Sequence, residues 1–143
     1  MLVCQILKSK GDLVFTAKPD ETVGAAAALL HSRKVGAMVV LDGQDQVVGI
    51  ISERDIVRVV AEHGHVGMGH LISSCMSKDV IFASPTEPVD SLLARMSDRR
   101  IRHLPVVKGG RLVGIVSIGD LVKSKIAESE AEAEHLKAYI SAG

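Results

Sequence analysis

The stretch GIISERDIV at residues 49–57 returns as GIVSIGDLV at residues 114–122. Both copies read Gly-apolar-apolar-Ser-x-x-Asp-apolar-Val, and in both a β-branched run gives way to a helical pattern. Working outward, sliding the chain against itself by 66 residues matches Pro19 with Pro85, Val23 with Val89, Val35 with Ile101, and MVVLDG (38–43) with LPVVKG (104–109). Past that turn the second copy is one residue shorter, so Gly49, Ser52 and Asp55 align with Gly114, Ser117 and Asp120 at an offset of 65. A hairpin turn is where a fold tolerates such a loss. Self-similarity at a fixed period means that one supersecondary unit is used twice.

Each copy predicts the same elements. LVFTA and VIFAS are short strands that end at Pro19 and Pro85. ETVGAAAALLHSRKV and EPVDSLLARMSDRRI space their apolar residues for helices that start near Thr22 and Pro88. AMVVLD with VGIIS, and LPVVK with VGIVS, form hairpins around Gly43 and around Gly109 and Gly110, and helices follow from about Asp55 and Asp120. The expected fold is α+β: two β-α-β-β-α repeats at 8–60 and 77–126, a linker at 61–76, and a helical tail at 127–143. A unit of roughly 60 residues with a three-stranded sheet leaves an apolar face wet on its own. The repeats are therefore expected to pack together about a pseudo-twofold axis, with a ligand cleft between them. In the tail Val122, Ile126, Ala133, Leu136 and Ile140 share one face, which would pack back on the module or on a second copy of the chain.

Composition narrows the function. Lys plus Arg and Asp plus Glu both number 17 in 143 residues, so the strong basic field of non-specific nucleic-acid or membrane binders is missing. Apolar runs such as AAAALL (25–30) are too short to cross a bilayer, which predicts a soluble, cytoplasmic protein. Cys4 and Cys75 are expected to be reduced thiols, because two cysteines make no disulfide framework.

The repeated Ser-x-x-Asp supports two readings that do not exclude each other. As a capping box, the Ser hydroxyl and the Asp carboxylate satisfy free amides at a helix start. As a ligand site, the same amides and hydroxyl attract a phosphate, and the Asp accepts hydrogen bonds from vicinal ribose hydroxyls.

The full ordering of proline, amphipathic helix, GAMVVLD or RHLPVVK, then GIISERDIV or GIVSIGD, resembles a tandem pair of cystathionine β-synthase (CBS) domains, the Bateman module. The resemblance spans residues 8–126, and EAEHLKAYISAG looks like the tail of small stand-alone bacterial members. It implies a regulatory module that binds AMP, ADP, ATP, S-adenosylmethionine or NAD(H) between its repeats, in a homodimer, and signals to a protein target that this chain does not reveal. Asp55 and Asp120 would hold ribose, with Ser52 and Ser117 near phosphate. Val14, Thr16, Val80 and Phe82 from the first strands, with Gly36, Ala37, Met38, Arg102, His103 and Leu104 entering the second strands, would line the base pockets. Arg54 adds a cation in the first repeat where the second has Ile118 and Gly119, and all three cations, Arg54, Arg102 and His103, could converge on one phosphate.

With 2% aromatic residues, adenine would be held by aliphatic and backbone groups, and Phe82 is either its one stacking partner or ordinary core. The linker carries His63, His65, Met68, His70 and Cys75 without zinc-site spacing, so it reads as a flexible, solvated loop and no metal is expected. Its GHVGMG follows a helix and lacks Gly-Lys-Ser/Thr, so it is no phosphate loop. The cationic run RMSDRRIRH (95–103) reads as a solvated helix end or a phosphate contact rather than a nucleic-acid surface. No nucleophile is paired with a base and an orienting group, so neither catalysis nor a catalytic cofactor is expected. The reading from a different class is a dimerising structural protein whose Ser-x-x-Asp pairs only cap helices.

Overall fold

The computed structural model describes every residue except Asp12 and Gly143. Ten elements follow in order: α1 (Val3–Lys10), β1 (Thr16–Ala17), α2 (Val23–Arg33), β2 (Ala37–Leu41), β3 (Val47–Ser52), α3 (Glu53–His63), α4 (Val89–Arg99), β4 (His103–Lys108), β5 (Arg111–Ser117) and α5 (Ile118–Ala142). The chain divides into two compact units, Leu13–Ile81, and Met1–Asp12 together with Phe82–Gly143. Each unit holds one copy of the repeat.

In the first unit β1 runs parallel to β2, with Thr16 opposite Val39, and β2 runs antiparallel to β3. Residues 37–40 of β2 are all buried because the strand is central and covered on both faces. Thr22 caps α2 by accepting from the Ala25 amide at 3.1 Å, and Lys34 ends the helix in the left-handed conformation. Ala17, Ala26, Leu30, Met38, Val40, Ile51 and Ile72 make the core.

The segment expected to be a flexible linker is instead packed structure. Gly64–Gly69 and Ile72–Ser74 form 3-10 turns, Ile72 is wholly buried, and Ser77 exchanges two backbone hydrogen bonds with Ile50. Apolar Ile72, Cys75 and Met76 draw the segment onto the first repeat. Solvation holds for part of it, since His65 and Val66 are exposed.

The second unit repeats the hairpin faithfully. β4 and β5 pair with the same register as β2 and β3, and the register shift at Val40/Leu41 recurs at Val106/Val107. Its turn is Gly109-Gly110, both at positive φ, which glycine adopts freely. The expected third strand, VIFAS, does not form: the segment is reduced to a single bridge, Ala83 with Val106. Ala83 donates to the Pro105 carbonyl and accepts from the Val107 amide, but the next rung of this parallel ladder needs an amide at residue 105. Pro105 has none. The Phe82 carbonyl is taken by Arg95 Nη1 at 3.0 Å.

The sequence reading missed α1. It docks on the second repeat through backbone hydrogen bonds from Val3 to Glu87 and from Cys4 to Pro85, and through a bridge between Leu2 and Pro88. Val3, Ile6 and Leu7 are buried. The far end of α5 does not fold back, since residues 129–142 are exposed throughout, and the expected tail's last residue, Gly143, lies outside the described residues. No helix among the described residues is long and apolar enough to cross a membrane.

Candidate ligand site at the paired helix starts

Each repeat ends its hairpin at the start of a helix, two residues ahead of the expected position. Ser52 is the N-cap of α3: its hydroxyl accepts from the Asp55 amide at 3.4 Å, and Asp55 Oδ2 accepts from the Ser52 amide at 2.9 Å and hydroxyl at 3.0 Å. Ser117 does the same before α5, accepting from the Asp120 amide at 3.1 Å while Asp120 Oδ2 accepts from the Ser117 amide at 2.8 Å. The capping reading is thus realised in both repeats.

The strand residues expected at the site are brought to it by two further contacts. Ala37 pairs with Ser52 and His103 pairs with Ser117, directly opposite in the ladder, so their side chains share a face. The Glu53 amide donates to the Gly36 carbonyl at 3.0 Å and the Ile118 amide donates to the Arg102 carbonyl at 2.8 Å. The entry to the second strand is therefore fastened to the helix start in each repeat. Gly36, Ala37, Ser52 and Asp55 gather in the first repeat, and Arg102, His103, Ser117 and Asp120 in the second.

The other expected residues are placed less uniformly. Met38 and Leu104 are wholly buried, and their side chains belong to the core. Thr16 lies exposed on β1, Val14 is half-buried before it, and Arg54 is exposed on α3. Val80 falls in the first compact unit, where its amide donates to the Lys78 carbonyl in a tight turn, so it does not join the second repeat's sheet. Phe82 is 41% exposed, which removes the core reading and leaves its ring available for stacking. Phe15 instead lies beneath the Arg33 guanidinium, 4.8 Å from its ring centre.

The two carboxylates differ in their cations, and neither cation was anticipated. Asp55 is only 3% exposed, and its Oδ1 takes an ion pair from Arg58 Nη2 at 3.1 Å on its own helix. Arg58 also donates to the Cys75 carbonyl at 2.8 Å, tying the cap to the packed segment after α3. An i,i+3 spacing on a helix could have flagged Arg58 in the sequence. Asp120 meets Lys10 instead, with Nζ 2.7 Å from Oδ2 and 2.9 Å from the Ile115 carbonyl. No local signal marks a lysine 110 positions away. Burial pushes the Asp120 carboxyl up, but the hydrogen bonds from Lys10 and from Ser117 outweigh it and hold the group below its usual range.

Among the described residues, no three of His, Cys, Asp and Glu gather as metal ligands. His63 and His70 meet edge to face at 4.8 Å between ring centres. Two hollows mark the surface, the first reaching Glu53 beside the Ser52 cap. One of about 350 Å³ on the first repeat is lined by Ala27, Leu30, His31, Glu53, Ile56 and Val57, and one of about 440 Å³ on the second is lined by residues that include Cys4, Leu7, Lys8 and Lys108.

Comparison with known proteins agrees with this duplicated geometry. The family model of the CBS domain matches residues 11–62 and again 72–126. The crystal structure of the CBS-domain containing protein ATU1752 from Agrobacterium tumefaciens superposes with a TM-score of 0.85 at 42% identity, covering 87% of this chain and 92% of that one. The CBS domain pair of protein MJ0100, solved in complex with 5-methylthioadenosine and S-adenosyl-L-methionine, gives 0.80 at 29% identity over 90% and 98%. The CBS domain protein PAE2072 from Pyrobaculum aerophilum, complexed with AMP, gives 0.75 at 28% identity over 84% and 89%.

Proposed function

The chain belongs to the CBS-domain family, and from that premise we propose that it is a regulatory module binding an adenosine-containing ligand, AMP, ADP, ATP or NAD(H), at its Ser-x-x-Asp helix starts. The observation that supports the reading is the fastening of Gly36 to Glu53 and of Arg102 to Ile118, which sets the strand entries, expected to line a base, beside Ser52 and Asp55 and beside Ser117 and Asp120. Ribose hydroxyls would bond Asp55 or Asp120, adenine would lie against the strand entries, and phosphate would meet the first-turn amides. The second repeat suits phosphate better. Its first turn holds Ile118 and Gly119 where the first repeat has acidic Glu53, and a Cβ at Gly119 would touch only Ser117 Oγ, at 3.6 Å. Arg102 supplies positive charge there, and Arg54 does so in the first repeat. Binding would act by differential affinity for two states of the module or of its contact with a protein partner.

The capping geometry favours a second reading, because both carboxylates are already engaged and Asp55 is buried. In that case the motif is structural and no ligand binds. Calorimetric titration of nucleotide-stripped protein with AMP, ATP, NAD+, NADH and S-adenosylmethionine separates the two. Saturable binding that Asp55→Asn or Asp120→Asn removes supports the regulatory module, and ligand at a hundredfold excess over Kd would add about 2.7 kcal/mol of stability. Silence from all five ligands in folded protein leaves the caps as the whole explanation.

A further inference from the structure

We propose that Lys10 determines which repeat takes a ribose, by holding α1 on Asp120 and competing with ligand hydroxyls for that carboxylate. The inference rests on the adenosine reading above and concerns only the second repeat. The two Asp residues are equivalent in sequence and in capping geometry, yet their cations come from different places. Arg58 rides on the same helix as Asp55 and is fastened to the Cys75 carbonyl, so it belongs to the first repeat whatever binds there. Its counterpart at the offset of 65 is Lys123, which is exposed. The cation on Asp120 comes instead from the last turn of α1.

Lys10 is well placed to compete. An ammonium has three donors and no acceptor. One donor goes to Asp120 Oδ2 and one to the Ile115 carbonyl, the latter inside the strand that carries the motif. The oxygen it uses is the one that also accepts the Ser117 amide, so a ribose hydroxyl reaching Oδ2 meets an acceptor that is already shared. Displacing Lys10 leaves its charge to be resolvated and removes the polar tie at the end of α1. The helix keeps its buried Val3, Ile6 and Leu7, so the expected response is loosening of its last turn, where the Gly11 amide closes on the Leu7 carbonyl at 2.9 Å. Occupancy of the second repeat is thereby coupled to the N-terminal helix, and the first repeat is not.

The test combines titration calorimetry with amide hydrogen exchange on the full chain, using AMP, ATP and NADH as probes. Lys10→Met keeps the apolar stem and removes the charge, and should tighten one class of site roughly tenfold, the effect of removing one charge-assisted competing bond. Asp120→Asn added to Lys10→Met should abolish that gain. Bound nucleotide should speed exchange at Leu7–Gly11 in the parent protein, whereas in Lys10→Met these amides should be fast before ligand is added. Unchanged or weaker affinity in Lys10→Met, or exchange at Leu7–Gly11 that ignores bound nucleotide, overturns the role given to Lys10 while leaving the adenosine reading intact. If neither protein binds any probe, the adenosine reading falls and the role of Lys10 falls with it.

Discussion

Replacing the motif glycines by alanine should cost stability unequally, with Gly49→Ala the worse of the pair. A Cβ at Gly49 would stand 2.6 Å from Met76 Sδ, 2.9 Å from Met76 Cγ and 2.9 Å from the Ser77 carbonyl oxygen. Met76 can swing aside. The carbonyl cannot, because Ser77 is bonded to Ile50 in both directions, at 3.0 and 2.9 Å. Overpacking of this kind costs about 1–3 kcal/mol, and weakening two backbone hydrogen bonds adds about 1 kcal/mol. The stiffer unfolded chain of an alanine returns about 0.4–1 kcal/mol, so the net loss is about 2 kcal/mol. At Gly114 the added Cβ meets only the Leu7 side chain, at 2.6, 3.0 and 3.3 Å. A rotamer change in Leu7 relieves that contact, and the net loss should stay within about 1 kcal/mol. Urea denaturation of both variants against the parent, with thermal melts in which 2 kcal/mol corresponds to roughly 4–8 °C, measures the difference. A Gly49→Ala variant within 0.5 kcal/mol of the parent, or a Gly114→Ala variant that is the less stable of the two, would refute the reasoning about which neighbour can yield.

Further expectations follow from the caps and the titrating groups. Ser52→Ala and Ser117→Ala should each lower unfolding free energy by about 1 kcal/mol without ligand, read from urea midpoints, and an unchanged midpoint would mean that the reciprocal bonds add nothing. The depressed Asp120 carboxyl contributes stability that is whole above its unfolded value of 3.8 and is lost as pH falls through its lower folded value, because the unfolded chain binds the proton first. Lys10→Met should flatten that part of the acid-denaturation curve, and a parallel curve would show that Lys10 does not set the charge state. Burial raises the Cys75 thiol, while Cys4 is exposed, so iodoacetamide at mild alkaline pH should alkylate Cys4 first, followed by mass spectrometry of the intact and digested protein. Faster labelling of Cys75 would mean that the segment after α3 opens.

The linker and the third strand of the second repeat show where sequence reading lost its hold. GHVGMGH reads as solvated chain because glycine and histidine dominate it, and periodicity has nothing to count in so short a stretch. The burial of Ile72 and the pairing of Ser77 with Ile50 depend on a surface made by the first repeat. VIFAS has the composition of a strand, but composition does not record that its neighbour offers Pro105 where an amide is needed. The pattern was right about the residue type and silent about the partner.

What the chain determined through its sequence alone is whatever repeats or acts within a few residues. The offset of 66 changing to 65, the hairpins, the helix spacing and both Ser-x-x-Asp caps are of this kind, since a cap closes over three positions and a hairpin over its own turn. Tertiary structure alone decided that α1 completes the second repeat, that Arg58 pairs with Asp55 while tied to the Cys75 carbonyl, and that Lys10 reaches Asp120. A contact between residues 110 positions apart leaves no local trace, because the amide, carboxylate and ammonium that meet there are each ordinary in their own neighbourhoods.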